Sequence, residues 1–457
     1  MKTTLSSLLA VGLLSALVAL PAAAQQTLGV YVVNQGNFGS ANGSVTFYDP
    51  ATGQTTDVLG NLDTIQSVEV FNEIVYVVVN VGGSIERLDA ITHQRQPSII
   101  GLVNPRYLAF ASETKAYVTN QVFRFGGVTD KSFISVIDLD AGTVRDTLQV
   151  PGQPDHIVVA GTRAYVALGF FAETSLVGVI DVETDALVDV IDVGCVAPRF
   201  LVVDEEDEVH VVCNGTVDFN TGAETPGAIV TLDGATGEIL RRIEATTLLA
   251  PNAFAIGTGQ EATYSSVRQR AFVVAKENIL VLDTSTNTLA DTLEVAGGDL
   301  INALAYDDAS DRLYVTRHDG SFTTAGRVEA YPATGSSPVV TFDVAVLPVH
   351  IAFFQEGLTT TVESAGDGVP ERVGLRANYP NPFTTRTTLP FDVAQAGAVT
   401  LKVYDLLGRE VATLVDAPLA PGYYEATWET EGQAAGVYLG RLQAAGTVST
   451  RRLVRTR

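Results

Sequence analysis

Residues 116–120 read AYVTN, and near-copies of this short strand recur along the chain: VYVVN at 30–34, VYVVV at 75–79, AYVAL at 164–168, VHVVC at 209–213, AFVVA at 271–275 and LYVTR at 313–317. Each copy sits inside a longer unit. From Pro105 the unit runs PRYLAF, AYVTN, FISVIDLDAGTV, RDTLQV; from Pro154 it runs PDHIVV, AYVAL, LVGVIDVETDAL, VDVIDV. First strands also open as QSVEVF at 66, PRFLVV at 198, PNAFAI at 251, INALAY at 301 and PVHIAF at 348. Apolar residues alternate, or run for four to six positions, between turn residues, as strands buried on one or both faces do. The unit is therefore four short strands, A to D.

The third strand of the unit ends in Asp at 49, 89, 138, 181, 233 and 283, followed by turn sequences such as DPATG and DGATG. An Asp at this place accepts hydrogen bonds from backbone amides ahead of it. The D-x-D-x-D-G spacing of a calcium loop is absent, so capping is the expected role. Four strands per 40–50 residues point to a β-propeller. Seven A strands are present. The chain starts on a B strand at Val30 and reaches its last A strand at Pro348, so a ring requires one blade zipped from both ends, which leaves neither of these two strands as an unpaired edge. The fold class expected is all-β, a seven-bladed β-propeller followed by a small antiparallel β-sandwich. The fifth copy is irregular: after PNAFAI comes a long A–B connection, GTGQEATYSSVRQ.

Of 457 residues 46% are hydrophobic and 18% charged, the balance of a folded chain. Net charge is −24, unevenly placed: residues 370–457 hold 10 basic and 8 acidic side chains, leaving 18 against 44 in the first 369. So acidic a surface repels phosphate backbones and disfavours nucleic acid as a partner. Lys2, the apolar run Leu8–Leu20 and Ala22-Ala23-Ala24 read as an export signal over 1–24. No Cys stands near the cleavage point, and no later stretch reads as a transmembrane segment. Cys195 and Cys213 are the only cysteines; a single disulfide is expected in an oxidising compartment, with two buried thiols as the alternative.

The literal YVTN and the I-x-V-I-D strand resemble YVTN-type seven-bladed propellers of surface and exported proteins. The start, VVNQGNFGSANGSVTFYDPATG, is more similar to a family of exported Bacteroidota propellers. With the propeller at 25–360, residues 361–374 (TVESAGDGVPERVG) read as a linker, and 375–457 as a β-sandwich of about seven strands. This last module resembles the C-terminal sorting domain of the type IX secretion system. The matching residues are Asn378, Tyr379, Pro380, Asn381, Pro382 and Phe383, then Val403, Tyr404, Asp405, Gly408 and Arg409. Gly422, Trp428, Gly436, Val437, Tyr438, Leu442 and the basic end Arg451, Arg452 and Arg455 follow. The resemblance implies handling by the type IX machinery, passage through the periplasm, and a destination at the outer-membrane surface or outside the cell.

Motifs of catalysis are missing: the five histidines are scattered, no H-E-x-x-H or G-x-S-x-G occurs, and no cofactor is implied. What remains is geometry. In a propeller the D–A and B–C loops meet on one face around the central channel. The residues after each A-strand opening gather there: Ser67, Arg106, Asp155, Arg199, Asn252, Asn302 and Val349, with Tyr107, His156 and His350 one step on. Long B–C loops add Asn34, Phe38, Phe123, Arg124, Phe125, Phe170, Phe171, Phe219, Arg317, His318 and Phe322. Aromatic rings with Arg, Asn and His at a concave mouth suit a polar ligand with a flat or apolar face. The partner is expected to be a small molecule, a glycan or a protein bound by a monomer. A lactonase-like hydrolase and a structural surface or adhesion protein are the competing readings.

Overall fold

The computed structural model describes residues 26–456 except 125–126, 129–131, 170–173, 219, 251–258, 296–297, 322, 334, 356–362, 365–372, 377, 379–380, 382, 384, 406–407, 431–432, 435 and 445. The expected export signal over 1–24, and Tyr379, Pro380 and Pro382 of the module entry, lie outside the described residues. Among the described residues of the propeller, seven four-stranded antiparallel sheets follow one another in the order A-B-C-D. The first is the split one: strands Thr27–Asn34, Gly43–Asp49 and Gln54–Leu62 take Pro348–Gln355 as their inner strand. Val32 lies opposite Ile351 and Tyr31 opposite Ala352, so the two ends of the wheel are joined by backbone hydrogen bonds. The inner strand Ile65–Phe71 of the next sheet packs beside Pro348–Gln355, and each further inner strand beside its predecessor, which closes the seven-bladed ring.

The repeated tyrosine has a mechanical role. Tyr31 Oη donates to the Ala90 carbonyl at 2.8 Å, Tyr165 Oη to the Gly234 carbonyl at 3.0 Å, and Tyr117 Oη to Asp185 Oδ1 at 2.5 Å. Each partner lies in the C–D turn of the following blade. These three tyrosines thus stitch their own B strands to the neighbouring blade while burying their rings between sheets, where Tyr31, Tyr117 and Tyr165 are fully enclosed. The aspartates that end the C strands cap those turns as expected. Asp49 Oδ1 accepts from the Ala51 amide at 2.8 Å, Asp138 Oδ1 from Ala141 at 2.8 Å and Asp233 Oδ1 from Thr236 at 2.7 Å. The A, B and C strands carry the core; the D strands, such as Thr143–Gln149 and Thr288–Glu294, are largely exposed.

One sheet departs from the sequence reading. Its inner strand is Ala262–Ser265, paired with Arg270–Ala275, and PNAFAI at 251–256 lies outside the described residues. The supposed A–B connection GTGQEATYSSVRQ therefore contains the A strand itself. ATYS is short and leads into a four-residue turn, so it carries too little alternation to stand out from the sequence. A one-residue shift also applies at the weakest copy, where Ile65 and not Gln66 takes the place of the opening proline.

Cys195 and Cys213 are joined by a disulfide, with Cα atoms 6.0 Å apart. The C-terminal module folds as two packed four-stranded sheets. One holds Glu363–Ser364, Gly422–Glu429, Arg386–Val393 and Gly374–Leu375; the other holds Glu410–Leu419, Gly397–Asp405, Gly436–Ala444 and Thr447–Arg455. Its core centres on Phe383, Phe391, Leu401 and Trp428, whose ring meets Tyr438 at 4.9 Å and Phe383 at 5.6 Å.

Candidate functional site

Cross-strand register identifies the residues that surround the axis. Tyr117 stands opposite Ala109, Tyr165 opposite Val158, His210 opposite Val202, Phe272 opposite Thr263 and Tyr76 opposite Glu69. Three residues back along these A strands lies an upper tier of Arg106, Asp155, Arg199, Gln260 and Gln66. Two residues back lies a lower tier of Tyr107, His156, Phe200, Glu261 and Ser67. Asn302 completes the upper tier and His350 the lower. Gln260 therefore takes the place expected for Asn252, and Gln66 the place expected for Ser67.

The upper tier is an arc of alternating charge. Asp155 bridges two guanidiniums: Arg106 Nε donates to its Oδ1 at 2.7 Å and Arg199 Nε to its Oδ2 at 2.5 Å. Arg106 Nη1 reaches Gln66 Oε1 at 2.9 Å. All three charged groups are buried, at 5%, 1% and 4% exposure in the order Arg106, Asp155, Arg199. Burial pushes the Asp155 carboxyl up, and the two guanidiniums outweigh it, so the group rests below the usual carboxylate range.

The lower tier closes the channel. The His156 ring stacks on Phe200 at 3.6 Å, and Tyr107 meets His156 edge-on at 4.8 Å and His350 at 6.1 Å. Tyr107 Oη crosses the axis to donate to the Gly259 carbonyl at 3.3 Å. Burial drives both histidines down to about 3, so they are neutral at any physiological pH. His350 Nε2 is 4.0 Å from Glu69 Oε1.

Glu261 was not visible as a site residue from sequence. It is 1% exposed, and neither carboxylate oxygen has a hydrogen-bond partner. Burial raises its carboxyl to about 7 against the pull of Arg199 and, more weakly, of the nearby Asn214 amide. Asn214 is itself buried with both side-chain polar atoms unpartnered. The signal that could have found Glu261 is cross-strand register: Phe272 of AFVVA occupies the Tyr117 place, and counting back through a minimal turn reaches Thr263 and then Glu261.

The other expected site residues are distributed as follows. Arg106, His156, Arg199 and His350 join the channel cluster. Asn302 Nδ2 donates to the Pro348 carbonyl at 3.0 Å, tying neighbouring blades at the channel rim. Asn34 is buried and donates to Ser44 and Thr46 within its own blade. Arg317, 1% exposed, donates to Glu329 Oε2 at 2.5 Å and to the Asp299 and Val295 carbonyls, which ties its blade to the loop arriving from the preceding one. His318 Nδ1 accepts from the Gly320 amide at 3.2 Å. Phe38 projects into solvent at 82% exposure. Phe123 and Arg124 form a two-residue ribbon with Gly127–Val128. Phe125, Phe170, Phe171, Phe219, Asn252 and Phe322 lie outside the described residues.

Among the described residues, one group of three carboxylate or imidazole ligands has its atoms within 4.8 Å of one another: Asp204, Glu208 and His210. It belongs to an A–B hairpin, at the far end of the blade from the channel tiers. Its donors and acceptors are already matched: His210 Nε2 with Asp204 at 2.9 Å, His210 Nδ1 with Thr231 at 3.0 Å, and Glu208 with Asn287 at 2.7 Å. It acts as a buttress of the hairpin.

Residues 377–456 match the family model described as a secretion system C-terminal sorting domain. No curated protein matches the chain. Among solved structures it is similar to a quinonprotein alcohol dehydrogenase-like protein from Bacteroides thetaiotaomicron, at 17% identity and TM-score 0.52, covering 72% of this chain and 79% of that one. It is also similar to hydrazine synthase from Kuenenia stuttgartiensis, at 16% identity and TM-score 0.48, covering 62% and 86%. At such identities the first likeness supports the propeller fold and nothing about chemistry. No helix among the described residues is long and apolar enough to cross a membrane. With the sorting module at its end, this chain is a β-propeller protein exported by type IX secretion to the cell surface or beyond it.

Proposed function

We propose that the propeller is a binding protein that takes a polar ligand into the mouth of its central channel, between the charged arc and the Tyr107–His156–Phe200 floor. The observation that carries this reading is Glu261: a buried carboxyl with no hydrogen-bond partner is costly to keep, and such groups concentrate where a ligand completes the hydrogen bonding. Asn214 beside it is unpartnered in the same way. Neutral imidazoles and an aromatic floor supply flat apolar contact, and the guanidiniums fix polarity. The ligand is a small molecule or the end of a glycan or peptide.

One feature favours a second reading. A carboxyl held at about 7 is suited to general acid–base work near neutrality, so hydrolysis of an ester or lactone is the alternative. The experiment is untargeted mass spectrometry of small molecules that leave the purified full-length protein on denaturation, run beside Glu261→Gln. A compound retained by the native chain and lost in the variant supports binding. Nothing retained by either, together with turnover of a lactone or ester panel that Glu261→Gln abolishes, overturns binding in favour of catalysis.

A further inference from the structure

The acidic A–B hairpins at the end of the propeller away from the candidate site face the basic residues of the sandwich. Arg451 Nη2 lies 3.9 Å from Glu206 Oε1. The Arg452 guanidinium rests on the Gly161 backbone so closely that a methyl group there would meet Nη2 at 2.9 Å, with Asp207 Oδ2 beside the same point at 4.0 Å. Gly161, Glu206 and Asp207 sit at the tips of two successive A–B hairpins. Burial raises the carboxyls of Glu205 and of Asp308, the second of which belongs to a third hairpin, and Arg376 of the sandwich opposes this only weakly.

Glu205 supplies an independent observation. Hairpin tips are normally wet, and Asn72 and Glu73 at the corresponding turn of another blade are exposed. Glu205 is 3% exposed, and neither of its carboxylate oxygens has a hydrogen-bond partner. Something covers this tip, and Arg451 of the sandwich stands 3.9 Å from the neighbouring Glu206. The uneven charge of the chain has the same sense, with the acids on the propeller and the surplus of arginine on the module.

We propose that the acidic A–B hairpin collar of the propeller is a docking surface for the chain's own sorting module, held there as an electrostatic clasp through Arg451 and Arg452. This placement keeps the module on the opposite end of the wheel from the channel mouth. The ligand face stays open while the address is read, and removal of the module uncovers an acidic surface without disturbing the site. Clasps between partly exposed charges weaken as salt shortens the screening length to about 3 Å at 1 M.

Hydrogen exchange of the full-length protein tests the clasp. The amides of 204–208 and 308–311 are expected to exchange at least tenfold faster in 1 M NaCl than at low salt. They should also exchange at least tenfold faster in the double variant Arg451→Glu, Arg452→Glu at low salt. The sandwich core at Gly436–Ala444 serves as the folding control. Loss of protection there in the variant disqualifies that arm and leaves the wild-type salt arm to decide. Unchanged exchange at both hairpins across the salt range overturns the proposal, whatever the channel binds.

Discussion

Replacing Glu261 by Gln should stabilise the propeller, and only above a definable pH. The carboxyl is raised from 4.5 to about 7 by burial, partly countered by Arg199. A group whose folded value is raised contributes its full stability below the unfolded value and loses it as pH climbs through the folded value. The wild type therefore loses stability between about pH 4.5 and pH 7, whereas the amide of the variant has no proton to lose. At roughly 1.4 kcal/mol per unit, the variant should gain on the order of 3 kcal/mol at pH 8 and about nothing at pH 4.5. With the group 1% exposed, solvent screening takes little from that figure. The assay must report the propeller, and tryptophan fluorescence does not, because the single Trp428 lies in the sandwich core. Urea titrations followed by pulse proteolysis or by exchange of the Val30–Val33 amides, at pH 5, 6, 7 and 8, give the profile. A variant that tracks the wild type in parallel across that range, or loses stability at pH 8, refutes the assignment of a strained buried carboxyl. The same substitution is expected to abolish ligand retention. Stability gained as function is lost is the pattern of a group kept for its site.

Asp155→Asn leaves two buried guanidiniums without their shared anion and should cost about 3–5 kcal/mol at pH 7 in the same titrations. A loss under about 1 kcal/mol would show the arc to be hydrated. Since the Asp155 carboxyl is held below its ordinary value, its contribution is present above the unfolded value near 4 and vanishes as pH falls through the folded value. Tyr117→Phe removes a hydrogen bond to Asp185 between blades and should cost about 1–2 kcal/mol, with no effect on ligand retention. Reducing the Cys195–Cys213 bond opens a loop of 18-residue separation and should cost about 3 kcal/mol; full stability in reductant would make the bond decorative. Deleting residues 370–457 should leave the propeller folded and block its delivery, read as accumulation in the periplasm; normal surface or extracellular levels would refute the role of the module.

The wheel was legible because its local rules repeat. Val at B-strand positions, Asp at C-strand ends and Pro at A-strand openings each recur for a reason that acts within one blade, and seven repetitions outvote any single irregular copy. The B-strand tyrosine was legible as a pattern and not as a mechanism, since its partner in the next blade's turn stands dozens of residues away. Ring closure followed from a mismatch between the first and last strands, which only pairing Val32 with Ile351 resolves. The sorting module was legible from ordered motif residues, with Phe383, Trp428 and Tyr438 meeting in its core.

The channel was only half legible, and the reason is register. A residue's place around the axis depends on its offset from the cross-strand partner, so a one-residue error at Gln66 and an overlooked inner strand at Ala262–Ser265 put the wrong side chains on the ring. Where an A strand opens with Pro and has a regular turn, as at 105, 154 and 198, the offset is fixed, and Arg106, His156 and Arg199 were found. The sheet around Ala262–Ser265 has neither signal, and there the unpartnered acid stands. Reading that sheet backward from Phe272 would have returned Glu261. The residue that breaks the local rule of pairing buried charge sits in the blade that breaks the repeat, and both departures face the one space where seven blades present their side chains to each other.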